Sequence, residues 1–448
     1  MDKINCSVSF KALGIFFILV VSFALYYFGM QLESSQYNLI GLFFLVGVIF
    51  LFRHQMAFAW IFFIYVFALL FSVFSSILVE KFSIYLIEVK AYAEPSGAGF
   101  RNAFLAVIFL SSVFLTFEFL RKSFSLRFKK VKEIESLMLK AFVFLGCSIV
   151  VYMAFVIIAY GSPLAMGVDR FTYWANIAPS GYRYASSLIP FFAFVISYSR
   201  EVGVLSNRYS FVWLILAICL MILGGEKFSG LLLLIYFYFL PYFCVYDRPL
   251  STKTILYGAL FLLVSVLLVL YNYYLIYDSR FLDMFEVRLS LQGQMLFSLD
   301  KIASVKFEGL DTLYSRFFGW GSVEIEEKGI RYLMYEVAPH EVVNNYIAGG
   351  ATFTAPFPAN ISYIFGLYLS PFIVLLMGVV SGVMGWVLVQ ALKDQSFLPS
   401  IIAVKAFFFV YIAIIMGESY MLFDWKMVVY SFLIIFLALI SRLQVSEK

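Results

Sequence analysis

"AFVFLGCSIVVYMAFVIIAY", residues 141–160, runs twenty positions without one charged side chain. As a helix it rises about 30 Å, the thickness of the hydrocarbon core of a bilayer. The composition extends that reading to the whole chain. Of 448 residues, 63% are hydrophobic, 20% aromatic and only 13% charged, and the mean hydropathy is +0.94. A soluble domain needs about 25% charged residues to cover its surface, so most of this chain must face lipid. The fold class expected is an all-α polytopic integral membrane protein.

Working outward from that stretch, twelve apolar runs qualify as spans. They lie near 11–30, 37–52, 56–79, 102–120, 136–160, 184–199, 209–224, 229–246, 254–276, 361–391, 398–417 and 426–441. The tenth is long enough to tilt or to break at Pro371. The first has no small-residue cleavage site and reads as a span rather than a signal peptide. Just before the quoted stretch lies "RKSFSLRFKKVKEIE", residues 121–135, with six Lys/Arg. Short basic loops stay in the cytoplasm. Placing this one there puts both termini on the same side and leaves residues 80–101, 161–183 and 277–360 outside. The chain then divides into helices 1–9 over 1–276, a large external loop over 277–360 and helices 10–12 over 361–448.

Several function classes are excluded on this pattern. The formal charge of +5 is small for the length, and no basic patch interleaved with aromatics points to nucleic acid. The cytoplasmic loops carry no Walker A, G-x-G-x-x-G or D-x-D pattern. Cys6, Cys147, Cys219 and Cys244 have no C-x-x-C spacing, and the last three read as buried structural thiols. A site, if present, belongs outside.

Three external segments carry candidate residues. Residues 278–302 space Phe281, Phe285, Leu291, Met295, Leu299 and Ile302 as an amphipathic helix expected to lie along the membrane surface. Arg288 and Gln292 share one face, and Gln292-Gly293-Gln294 interrupts the helix with a glycine that costs about 1 kcal/mol there. Residues 277–355 hold seven Lys/Arg, Arg280 and Arg288 among them, against eleven Asp/Glu. This is no nonspecific basic patch, so any Arg that matters is placed individually, as phosphate recognition requires.

In 161–183, Arg170 and Arg183 flank Phe171, Tyr173 and Trp174. That is either an interfacial aromatic belt or a surface for sugar faces and a pyrophosphate. Lys227, in "GGEKFSG" (224–230), is either a snorkelling interfacial cation or a head-group ligand. The third segment, "YEVAPHEVVNNYIAGGATFTAPFPAN" (335–360), holds His340, one of two histidines in the chain. A histidine can serve as general base or acid, and His340 has Glu341 beside it and Asn344 one helical turn on. The other reading of His340 is a hydrogen-bonded histidine at a helix start. One external histidine without a Cys partner does not make a metal site, and no cofactor is expected.

Spans, large loop and motifs together resemble the Wzy-type O-antigen polymerases of the bacterial inner membrane. "RLSLQGQ" (288–294) is similar to an Arg-x3-Gln-Gly-Gln pattern of that family, and "GGATFTAPFPAN" (349–360) resembles its glycine/proline-rich loop end. Arg170 and Gly181 match an Arg-x10-Gly spacing, although the large loop has no second copy. The resemblance implies a GT-C-like fold and metal-independent transfer of undecaprenyl-pyrophosphate-linked oligosaccharide. It implies that Arg288, Arg280, Arg170 and Lys227 hold the pyrophosphate, that His340 or Glu341 acts on the acceptor hydroxyl, and that Gln292, Gln294 and Asn344 orient the substrate. Membrane lipids and a chain-length regulator would be partners. The rival expectations are a lipid-linked oligosaccharide flippase and an O-antigen ligase.

Overall fold

The computed structural model describes residues 2–246 apart from 33, 53, 54, 129–131, 169 and 227, and residues 287–446 apart from 288, 289, 305, 306, 308, 322, 323, 325, 326 and 350. Between 247 and 286 it describes only 264, 267, 271 and 274. The expected span 254–276, Arg280, Arg288 and Lys227 therefore fall largely or wholly outside the described residues.

What is described is an all-α membrane protein. Among the described residues eight helices are long and apolar enough to cross a bilayer, and Asn207–Leu223 and Trp425–Ile440 are shorter apolar helices. The helices that matter below are α1 (Asp2–Gly29), α2 (Asn38–Phe52), α3 (Met56–Ile61), α4 (Phe63–Lys81), α5 (Ala98–Ser123) and α6 (Lys132–Tyr160). After them come α7 (Pro163–Met166), α8 (Arg170–Asn176), α9 (Gly181–Glu201), α10 (Asn207–Leu223) and α11 (Phe228–Tyr246). The remainder are α12 (Gln294–Ile302), α13 (Gly329–Val337), α14 (His340–Ala348), α15 (Ala359–Lys393), α16 (Phe397–Ile415) and α17 (Trp425–Ser446). A two-stranded hairpin pairs Tyr85–Leu86 with Ala91–Tyr92.

At the centre α5 packs along α15. Membrane helices have no hydrophobic drive to associate, so close approach by small residues takes its place. Gly378 and Gly382 supply it: a Cβ on either would come 2.7 or 2.8 Å from the carbonyl oxygens of Phe109 and Val113. Ser112 Oγ donates to the Leu375 carbonyl at 2.8 Å across the same seam.

The two ends of the bundle differ. At one end Asp394 accepts the Phe128 amide at 2.7 Å, and Ser396 Oγ donates to Glu135 at 2.8 Å, so Phe128 and Glu135 of the basic segment are held at the α15–α16 turn. At the other end lie the hairpin, the described part of 287–358 and the 417–424 segment. Ser419 Oγ donates there to the Phe317 carbonyl at 3.1 Å, and Lys301 pairs with Glu94.

The long helix α15 breaks at Gly366, whose φ of 74° and ψ of 159° are not helical, rather than at Pro371 itself. Proline still governs what happens. Without an N–H, Pro371 cannot bond the Leu367 carbonyl one turn back. Tyr26 of α1 donates to that carbonyl at 3.0 Å, Ser370 Oγ takes the Gly366 carbonyl at 2.6 Å, and the Leu367 amide finds the Ser304 carbonyl at 3.1 Å. The kink thus binds α1 and the 303–304 strap to α15. Two of the cysteines are placed differently from expectation: Cys147 and Cys219 are exposed on α6 and α10, whereas Cys244 is buried as expected.

Tyr26→Phe should cost about 1–2 kcal/mol in thermal or denaturant unfolding in detergent, the worth of a buried carbonyl left unpaired. Pro371→Ala supplies an N–H to the same carbonyl. In that background the Tyr26→Phe penalty should shrink to less than half.

Candidate functional site

The start of α5 collects buried charge. Its first amides have no helical partners, and water is excluded. Glu80, buried at the end of α4, accepts the amides of Ser96 and Gly97 at 2.5 Å and of Gly99 at 3.2 Å. Asn38 donates to Glu80 at 2.6 Å and accepts the Phe100 amide at 2.9 Å. Three helices, α2, α4 and α5, are thereby tied at one helix N-terminus, where a carboxylate is also favoured by the helix dipole.

One residue further, Arg101 reaches Asp300 of α12. Its Nε lies 3.2 and 3.1 Å from the two carboxylate oxygens, a second nitrogen completes a bidentate pair, and Nη1 donates to the carbonyls of Gly29 and Leu32. The Asp300 side chain is fully buried and that of Arg101 8% exposed.

This pair overturns the surface placement expected for the C-terminal part of 278–302; residues 278–286, 288 and 289 lie outside the described residues. Residues Gln294–Asp300 are all buried, and α12 packs against α4, α5 and α15. The glycine of Gln-Gly-Gln has a packing reason. A Cβ at Gly293 would overlap the backbone of Ser75 and Ser76, so α12 enters the bundle only because position 293 has no side chain. Gln292 sits in the turn and is half-buried, whereas Gln294 is buried with its Nε2 unpartnered. A buried amide without a partner is uncommon enough to mark a place where a polar group belongs.

The Gly/Pro segment meets this turn. Thr354 Oγ1 donates to the Leu291 carbonyl at 2.5 Å, and Phe357 packs edge-on against Phe109 of α5. Residues 355–367 are continuously buried, and Pro356 lies on Gly417. Irregular backbone at this depth is held by protein on all sides. Asn360 and Ser362, just beyond, also carry unpartnered buried oxygens.

His340, Glu341 and Asn344 sit elsewhere. All three are exposed on α14. The His340 ring packs on Tyr335 with centroids 5.0 Å apart, and Tyr335 donates to Asn344 Oδ1 at 2.7 Å. Among the described residues no hydrogen bond or ring contact joins these three to Gln292 or Gln294.

Arg170 occupies a third place. It pairs with Glu226 at 2.5 Å, and its guanidinium lies 5.3 Å from the Trp174 ring. Arg183, in the first turn of α9, faces the same ring at 5.8 Å and is exposed. With Arg170 neutralised by a carboxylate, Arg183 is the cation more accessible to an anion. Its sequence signal was its place one turn into the helix after the Arg170–Trp174 cluster. Arg101 and Asp300 had no such signal, because 199 residues separate them.

Against known proteins, one comparison returns a match. Residues 324–431 match the model of a family of unknown function (DUF6418). The match spans α13, α14, the Gly/Pro segment, α15, α16 and the turn bearing Glu418, but not the Gln-Gly-Gln turn. No curated protein and no solved structure matches the chain. Among the described residues no three His, Cys, Asp or Glu side chains come together as metal ligands.

Glu418 closes the loop end of the site. Its carboxylate accepts the Ile330 amide at the start of α13, and Gly329, at φ 60°, leaves it room. Burial pushes the Glu418 carboxyl above its usual range, opposed by the Ile330 amide, by Arg331 and by the Tyr420 hydroxyl. Beside it, burial and Glu418 push Tyr420 up to about 12.

Two outcomes follow. Gly293→Ala should destabilise by about 1–3 kcal/mol or more, the cost of overpacking against backbone, read as a fall in Tm in detergent. For Glu418 the folded state holds the proton more tightly than the unfolded chain. Its stabilising contribution is therefore full below the ordinary carboxylate range and declines as pH rises through the raised folded value. Glu418→Gln should flatten the Tm–pH curve across that window; an unchanged slope would show that Glu418 does not titrate there.

Proposed function

We propose that the protein polymerises lipid-diphosphate-linked oligosaccharide units at the membrane face that carries the 277–360 segment, as a Wzy-like glycosyltransferase of the bacterial inner membrane. The proposal includes a GT-C-like bundle of about twelve spans, termini in the cytoplasm and the site facing the periplasm. The observation that carries it is the meeting of two segments some sixty residues apart. The Gln-Gly-Gln turn and the Gly/Pro segment are joined through Thr354 and Leu291, and the helices that follow them carry the buried, unpartnered polar atoms of Gln294, Asn360 and Ser362. Unpartnered amide and hydroxyl groups are what a sugar's hydroxyls bond. Of the candidate cations, Arg170 and Arg183 lie around Trp174, and Arg280, Arg288 and Lys227 are assigned to the diphosphate by the resemblance alone.

In such a reaction the bond from the donor's anomeric carbon to diphosphate oxygen breaks, and a bond to the acceptor oxygen forms. Negative charge collects on the departing diphosphate, where guanidinium groups stabilise it. The acceptor's proton goes to a base, for which His340 or Glu341 remains the candidate, or to the diphosphate itself. His340 is exposed, so it would act only once the substrate bridges α14 and the buried polar atoms. No nucleotide or metal enters this scheme.

The experiment is to incubate the purified protein, in lipid, with undecaprenyl-pyrophosphate-linked repeat units and resolve the glycans on a gel. A ladder of multiples is expected. Arg183→Ala should lower its rate roughly 10- to 100-fold, the worth of a charge-assisted hydrogen bond. Arg170→Ala should also cost stability, since it strands Glu226. Movement of the lipid-linked unit across the bilayer with no ladder would replace the polymerase with a flippase.

A further inference from the structure

A pocket lies at the end of the bundle opposite the hairpin, where α9 ends, α10 begins and α11 ends. Its volume is about 520 Å³, and Arg200, Glu201, Asn207, Phe239, Tyr242 and Tyr246 line it. Tyr198, just above, packs on Phe397 at the start of α16, so the pocket shares the end that carries the basic 121–135 segment. The polymerase reading makes no use of this place, and the inference stands independently of it.

The floor is a charge pair. Arg200 pairs with Glu201, whose side chain is 7% exposed against 15% for Arg200. Neighbouring helical positions do not normally face one another. Here Arg200 is turned by its stacking on Tyr238 and Tyr242, with its guanidinium 5.1 and 5.9 Å from their rings, and by a 3.2 Å hydrogen bond to the Tyr238 hydroxyl. Ser210 holds that hydroxyl from the other side at 2.9 Å. The floor carries one positive and one negative group side by side, and no net charge. The walls are aromatic: Phe239, Tyr242 and Tyr246 lie on one face of α11, with Tyr242 and Tyr246 38% and 43% exposed.

A neutral floor of paired charges attracts neither a bare anion nor a bare cation. It complements a zwitterion: a phosphate bonds the one Arg200 N–H that Glu201, Tyr238 and Ser197 leave open, and an ammonium lies against Glu201 and the electron-rich ring faces. The pocket also continues into an apolar track. From Asn207 at its rim, Phe211 and Ile215 follow one and two turns along α10, 57% and 45% exposed. A head group in the pocket would lay an acyl chain along that track.

We infer that the Arg200–Glu201 pocket binds the zwitterionic phosphoethanolamine head group of a membrane phospholipid, with its acyl chain on α10. The test is native mass spectrometry of the delipidated full chain in detergent, with phosphatidylethanolamine, phosphatidylglycerol and soluble O-phosphoethanolamine as competing probes. Wild-type protein should retain phosphatidylethanolamine roughly tenfold over phosphatidylglycerol, the scale of one cation–π contact with one half-buried ion pair. Glu201→Gln leaves a net positive floor and should reverse the preference. Arg200→Gln should abolish retention.

Equal or better retention of phosphatidylglycerol by the wild type would overturn the inference. So would binding of soluble O-phosphoethanolamine as tight as that of the lipid, or no retention of any probe. The wild-type competition decides these outcomes even if a variant fails to fold.

Discussion

The buried pair of Arg101 and Asp300 is the constraint on which the rest of the arrangement depends. An isolated charge cannot be left in a bundle this apolar, because breaking a buried pair strands its partner at a cost of several kcal/mol. Arg101 is fixed at the start of α5 by the carbonyls of Gly29 and Leu32. Asp300 must therefore come to it, and α12 comes with Asp300. The Gln294–Ile302 part of the large loop is consequently not a cap resting on the membrane domain. This helix is part of the bundle.

Once α12 is seated, the neighbouring pieces have little choice. Gly293 lets the chain pass over Ser75 and Ser76, and Leu291 then offers its carbonyl to Thr354. The Gly/Pro segment descends beside it, and α15 starts at its foot. The break at Gly366 and the missing amide of Pro371 leave backbone groups that α1 and the 303–304 strap satisfy. Each irregularity is stabilised by a group from a distant part of the chain. This is the expected cost of non-helical backbone in lipid.

The sequence carried the fold class openly, because a charge content of 13% admits no soluble alternative. It also marked 288–294 and 349–360 as unusual, and these two segments meet. What it could not convey was depth. The apolar spacing of 281–302 fits a helix lying on a membrane as well as one entering a bundle, and only the Arg101 partner, 199 positions away, separates the two. Gly293 was read as a functional mark, and its nearest cause is steric. Arg170 stood out as a cation beside aromatics, but Glu226 lies 56 positions on, and the pairing shifts attention to Arg183. His340 drew notice by rarity and by the acid–base chemistry of a histidine beside Glu341, and neither speaks of exposure.

The most direct test of this account is a double-mutant cycle on Arg101 and Asp300, read as unfolding free energy in detergent. Arg101→Met and Asp300→Leu should each cost about 3–5 kcal/mol by stranding a buried charge. The double variant, with no charge left to strand, should cost no more than either single change. Near-neutral single variants, or costs that simply add, would contradict the claim that this pair seats α12 in the bundle.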